Sequence, residues 1–340
     1  MASTAFGSGS VRGFRALWWL LPPAILIALA AGRSDSVGTD TSMYHGFFQQ
    51  VDPTSLADSL ADIPQESGYV ALMYAVRQWT DDYSIFLGVC AALTVFPVFI
   101  AIRRASAMPV LSLFLYITLS YYLFSFNGIR QSIAGAMVLL AETYRRTNRV
   151  VWVLLYLLAA AFHISALVVF VFILIARHQG SRPVRLLVVT MIASVMGAVV
   201  FGIPAVGRIL NSLNDRYDEY LSSEQGAGMG TVLVLVIHLA VAVFLIVVAR
   251  RPDPPLNEYI AIYLLSCGVL LLALTNWVAG RFEPYFGIFG ILCIPNVLAQ
   301  SRHRHTRGFL VVILLAAAAH FVFHTWFYNG LVPYESIWIG

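Results

Sequence analysis

Apolar runs of about twenty residues recur along this chain, separated by short polar connections rich in arginine. A helix needs roughly 20 apolar residues to cross the ~30 Å hydrocarbon core of a bilayer. The runs at 14–31, 83–102, 109–126, 128–143, 150–176, 184–201, 230–249, 258–275, 283–300 and 308–327 meet or approach that length. The pattern predicts an all-α, polytopic membrane bundle of about 10–12 transmembrane helices. Its first run, Leu17 to Ala31, follows Arg12 and Arg15 and has the outline of a signal peptide. Ala30-Ala31-Gly32-Arg33 is a mediocre cleavage context, so the run is read as the first transmembrane helix, with its N-terminus in the cytoplasm.

The connections set the topology. Arg103-Arg104, Arg145-Arg146 with Arg149, the stretch from Arg177 to Arg185, Arg250-Arg251, and the stretch from Arg302 to Arg307 all belong inside by the positive-inside rule. The segment 150–176 then lies between two cytoplasmic loops and must cross an even number of times. It is short for two full spans, so a tight helical hairpin turning near His163 is expected. Residues 67–79 are too few to cross comfortably, and a full crossing would move Arg103-Arg104 outside. A re-entrant or interfacial helix on the outer side satisfies both constraints. The whole of 1–340 reads as one membrane domain, with outer loops at 33–82 and 202–229 and an outer C-terminal tail from Tyr328. Asp35, Asp40, Glu66, Arg130, His163, Asp215, Arg216, Arg281 and Glu283 all fall on the outer face.

Composition supports the membrane reading, with 59% hydrophobic and 11% charged residues against roughly 25% charged in soluble domains. The net charge of +4 resides in short loops, which is a topology signal and argues against nucleic acid as a partner. All 21 basic residues are arginine, so no catalytic or Schiff-base lysine exists. Cys90, Cys267 and Cys293 sit inside apolar runs and suggest neither disulfides nor a metal site. Asp81-Asp82 is weak evidence for a metal. Nucleotide-binding, dinucleotide, zinc-protease and serine-hydrolase motifs are absent, and neither cofactor nor metal is expected.

Polar residues at membrane depth are costly, at least ~2.5–3.5 kcal/mol for a central arginine, and mark functional sites. In Asn127-Gly128-Ile129-Arg130-Gln131, the glycine breaks one helix and starts the next, so freed amides and the Arg130 guanidinium form an anion site. Arginine grips phosphate as a two-point fork. Its structural alternative is snorkelling or pairing with a carboxylate. His163, in Ala161-Phe162-His163-Ile164-Ser165-Ala166, is an acid, base or phosphate ligand, or else a helix–helix hydrogen bond. Gly38-Thr39-Asp40 makes a turn presenting a carboxylate, with Tyr44 one helical turn on. Glu66 either acts as a base or caps the helix beginning at Ser67. Arg281, with Tyr285, repeats the arrangement of small residue, arginine and aromatic, and two outer arginines suit a diphosphate. Asp215-Arg216 reads as part of a solvated loop helix, and the aromatic tail through Trp338 as an interfacial belt or a sugar-stacking platform.

The pieces Gly38-Thr39-Asp40 with Tyr44, Glu66-x-Gly68-Tyr69, Gly128-Ile129-Arg130-Gln131 with Ala134, Phe162-His163-x-Ser165-Ala166, and Arg281 with Tyr285 occur in this order. In them the chain resembles the EpsG family of exopolysaccharide polymerases, relatives of the Wzy-type O-antigen polymerases. The resemblance implies a GT-C-like fold and the joining of polyprenyl-diphosphate-linked oligosaccharides, as both donor and acceptor. It places the reaction on the outer face of a bacterial cytoplasmic membrane, with a flippase and a chain-length regulator as pathway partners. On that reading Asp40, Glu66 and His163 are the catalytic candidates, and Arg130, Gln131, Asn127, Arg281, Tyr44 and Tyr285 bind diphosphate or sugar. A lipid-linked-sugar flippase and a membrane acyltransferase are the rival classes. The apolar cytoplasmic half-spans disfavour the first, and the lack of a polar entrance for an acyl donor disfavours the second.

Overall fold

The computed structural model describes residues 8–178, 182–201, 228–249, 252–301, 306–327 and 330–338. The loop 202–227 with Asp215 and Arg216, the pair Arg250-Arg251, residues 302–305 and Tyr328 lie outside the described residues. The described chain is helical, with one isolated antiparallel bridge between Arg33 and Ser336. By length and hydropathy, Tyr83–Ala105, Met229–Val248, Pro254–Ala273 and Thr306–Phe327 suffice to cross a membrane. A fifth span is possible if Trp277–Gly287 and Gly290–Gln300, bent by 43°, count as one. Shorter apolar helices follow most of the remaining predicted runs. This is a polytopic helical membrane protein.

The chain forms two compact units, one comprising residues 1–104, 117–164 and 317–340, the other 105–116 and 165–316. The first unit carries α1 (Ser8–Ala31), α2 (Thr41–Gln50), α3 (Leu56–Asp62), α4 (Ser67–Arg77) and α5 (Tyr83–Ala105). After α6 (Pro109–Thr118), which runs through the boundary, come α7 (Tyr121–Phe124), α8 (Ile129–Tyr144) and α9 (Arg149–Phe162). Helix α8 is buried from Ile129 to Glu142 except at Arg130, as befits a helix apolar on nearly every face. It packs along α9 through a short turn in which the Asn148 side chain accepts from the Val151 amide at 3.1 Å. The sole carboxylate between Asp82 and Asp215, Glu142, clamps this hairpin. It accepts from Trp152 Nε1 at 3.1 Å and from the Tyr156 hydroxyl at 2.7 Å.

The expected re-entrant or interfacial helix is α4. At 11 residues it is about 16 Å long and falls well short of a ~30 Å core. Tyr69, Val70 and Met73 anchor it with no exposed surface. Gly68 lets it approach α9, because a Cβ there would stand 2.6 Å from the Ala161 carbonyl oxygen. The run 109–126, expected to be a single helix, is instead two. Ser120, at φ 66°, ends α6 in a left-handed turn and α7 follows at once. The break leaves the polar Asn127-Gly128 corner packed under the Phe124 ring, 2.6 Å from where a Gly128 Cβ would be.

The second unit is arranged around the mostly buried α13 (Pro254–Ala273), capped by the Asp253 carboxylate on the Leu256 amide at 2.9 Å. Around it lie α10 (Ser165–His178), α11 (Pro183–Phe201), α12 (Met229–Val248), α14 (Trp277–Gly280), α15 (Glu283–Gly287) and α16 (Gly290–Gln300). Helix α11 closes on α13 at Gly268, whose carbonyl accepts from Ser194 Oγ at 2.7 Å. The last helix, α17 (Thr306–Phe327), runs through the unit boundary into the tail. Within 150–176 the helix ends at Phe162 and a new one starts at Ser165, placing the predicted break at His163.

Candidate functional site

The first unit brings residues from three distant parts of the sequence to one carboxylate. Glu66 is the N-cap residue of α4, and its backbone carbonyl takes the Tyr69 and Val70 amides. Its side chain makes no capping bond. Oε2 instead accepts from Nη1 of Arg130, in the first turn of α8, and Oε1 lies 2.6 Å from Nδ1 of His163, the C-cap of α9. The Gly68–Ala161 approach and the α8–α9 hairpin create this meeting point, since one sets α4 beside His163 and the other sets Arg130 beside it. All three side chains are partly exposed, with relative exposures of 18% for Glu66, 21% for Arg130 and 25% for His163.

Electrostatics fix the protons. Burial alone pushes the Glu66 carboxyl up, but the His163 hydrogen bond and the Arg130 charge outweigh it and hold the group down at about 2. Glu66 is therefore an anion at neutral pH and only accepts, so Nδ1 of His163 carries a proton. Nε2 has no hydrogen-bond partner among the described residues. A carboxylate behind a histidine in this way sets its tautomer and stabilises the imidazolium that forms when Nε2 takes a proton. The positive N-terminal end of α8 adds to the Arg130 charge.

Tyr44 and Asp40 complete the cluster. The Arg130 guanidinium is within hydrogen-bond reach of the buried Tyr44 phenol. Burial raises that phenol's pKa, with the charge and hydrogen bond of Arg130 opposing, so it stays neutral. Asp40 is close enough to act on the same phenol and is held by the Thr39 hydroxyl at 3.0 Å. Although it occupies the N-cap of α2, its side chain makes no capping bond. Asn127, expected at the ligand, has its amide oxygen engaged by the Thr39 amide at 2.8 Å, which ties the α7–α8 corner to the turn before Asp40. Gln131 is buried one residue after Arg130.

Arg281 and Tyr285 belong to the second unit. Arg281 is exposed and its guanidinium lies over the Trp277 ring, 4.6 Å from the centroid. The Tyr285 hydroxyl accepts from Ser165 Oγ at 3.1 Å. Close by in sequence, Glu283 Oε1 lies 3.0 Å from Nε2 of His238, whose Nδ1 donates to the Val234 carbonyl at 2.9 Å and whose ring stacks on Tyr263. Both nitrogens of this histidine are engaged, in contrast to His163. Sequence reasoning missed His238 and Glu142, although each is a lone ionisable group inside an apolar run, the same signal that singled out His163.

An arginine, a carboxylate and a histidine, each partly exposed, thus meet on a multi-pass helical membrane scaffold. Residues 16–336 match the EpsG family, and the chain belongs to that family. Membership points to a role of the exopolysaccharide-polymerase type. Neither the curated proteins nor the solved structures contain a match.

Proposed function

We propose that this protein polymerises polyprenyl-diphosphate-linked oligosaccharide repeat units on the outer face of the cytoplasmic membrane, as a GT-C-like glycosyltransferase. The observation that carries this reading is the Glu66 carboxylate shared between Arg130 and His163. Nε2 of His163 takes the proton of an acceptor sugar hydroxyl as its oxygen attacks the anomeric carbon of the donor. The bond from that carbon to the diphosphate breaks, and the leaving diphosphate carries away the electron pair. Arg130, at the helix N-terminus, meets the developing charge. Glu66 holds Nδ1 protonated and stabilises the imidazolium, so it positions the base rather than serving as one. Asp40 and Tyr44 face the same cluster and offer hydrogen bonds to sugar hydroxyls. On the second unit, taken by itself, Arg281 over the Trp277 ring offers a contact for an anion or a sugar.

The test is to incubate purified protein in liposomes with a lipid-diphosphate oligosaccharide and resolve the products by size. A ladder spaced by one repeat unit supports the reading. Movement of the substrate across the liposome membrane without any ladder would support a flippase instead.

A further inference from the structure

The C-terminal tail, expected to be an interfacial belt or a stacking platform, has a more specific place. We propose that residues 330–338 form a strap that positions the Asp40 turn, making the C-terminus a working part of the candidate site. For what Asp40 does, this rests on the reading above. For how Asp40 is held, it stands on the contacts alone.

Those contacts run the length of the loop. The Ile337 amide donates to the Gly32 carbonyl, the Ser34 amide to the Glu335 carbonyl, and the Gly38 amide to the Gly330 carbonyl, each at 2.9 Å. The Glu335 carboxylate accepts from Ser36 Oγ at 2.6 Å, and the Tyr334 hydroxyl donates to the Leu29 carbonyl at 2.6 Å. The Trp338 ring covers Gly32 so closely that a Cβ there would stand 2.7 Å from it. Leu331 is only 4% exposed and Val37 not at all. The loop is thus pinned by the strap at its start, middle and end.

The pinning converges on one residue. The consecutive amides of Gly38 and Thr39 are taken by the strap carbonyl of Gly330 and by the side chain of Asn127. Asp40 follows immediately, with its carboxylate not spent on capping α2. On the opposite side, buried Arg33 ties the start of the loop to the α7–α8 corner. It donates to the Ala30 carbonyl at 3.1 Å and the Phe126 carbonyl at 3.3 Å, with its guanidinium over the Phe126 ring. Phe126 is four residues before Arg130. The same short corner therefore fixes the arginine of the cluster and, through Asn127, the approach to Asp40. A loop of polar residues without these ties samples many conformers, and holding it in one raises the effective concentration of its carboxylate at the site.

Two measurements on full-length protein and on a chain lacking residues 330–340 test the proposal. In a cysteine-free background, Val37→Cys should react slowly with an impermeant maleimide while the strap is present. Its rate should rise by roughly tenfold or more once the strap is removed, because local opening then exposes the turn. In the polymerisation assay the shortened chain should lose roughly tenfold or more in kcat with little change in KM, since Arg130 and its anion site are untouched. Should the shortened chain fail to fold, Glu335→Ala and Trp338→Ala each remove one tie. Glu335→Gln, which still accepts from Ser36, should restore both readouts. An unchanged labelling rate, or full turnover without the strap, overturns the proposal. If the full-length protein makes no polymer, the polymerase reading fails and the labelling rate alone decides whether the strap holds the turn.

Discussion

Oε1 of Glu66 lies 2.6 Å from Nδ1 of His163, a residue 97 positions further along the chain. With Arg130 on the other carboxylate oxygen, the pair leaves the second imidazole nitrogen of His163 without a hydrogen-bond partner among the described residues. A helix–helix hydrogen bond alone would not require a carboxylate shared between the histidine and an arginine. His163→Ala separates these roles. Thermal stability should fall modestly, by roughly 0.6–2 kcal/mol for one lost bond, while polymerisation falls by roughly 10²-fold or more. A parallel loss of stability and activity would return His163 to a structural role.

Arg130→Lys keeps a positive charge but gives up the planar two-point contact with phosphate. The variant should fold, because an ammonium still pairs with Glu66, and should lose roughly 10²-fold in turnover. Chain lengths and rates like those of the unmodified protein would remove Arg130 from the diphosphate.

Acid stability reports on Glu66. Its folded value, about 2, lies below the ordinary 4.5. The native state therefore binds fewer protons there than the unfolded chain, and the stabilisation is complete above pH about 4.5. It should disappear progressively as the pH falls from there toward about 2. Melting temperatures of the unmodified protein and of Glu66→Gln, measured across that range, should converge at the acid end. A constant gap between them would show that the carboxylate is not held down in the folded state.

The close approach of α4 to α9 is tested at Gly68. A Cβ there would stand 2.6 Å from a backbone oxygen that cannot swing away. Gly68→Ala should therefore cost roughly 1–3 kcal/mol and displace Glu66 from His163, lowering activity as well as melting temperature. An unperturbed, fully active Gly68→Ala would show that the approach is looser than described.

Much of the scaffold could be read from run length alone, because burying backbone in lipid demands helices of a set size. The helix starts at Tyr83, Pro254 and Thr306 fall within a few residues of the apolar runs. The break at Ser120 was not readable, since one serine in an apolar run is also common inside helices. Arg130, His163, Glu66 and Asp40 each stood out by chemistry. Their assembly did not, because separations of 64 and 97 residues carry no local period. Asn127 shows the converse. Its polarity marked it as a ligand contact, and only the fold shows its amide oxygen tied to Thr39. The tail was opaque for the same reason, as its partners lie about 300 residues upstream.

The most direct test of the account is the rate of ladder formation from a lipid-diphosphate oligosaccharide by purified protein, compared with Glu66→Gln. The substitution keeps the size of the side chain but removes the charge that fixes His163 and pairs with Arg130. The account predicts a repeat-spaced ladder from the unmodified protein and a rate lower by roughly 10²-fold or more in the variant. A ladder formed equally fast by Glu66→Gln, or none from the unmodified protein, would contradict it.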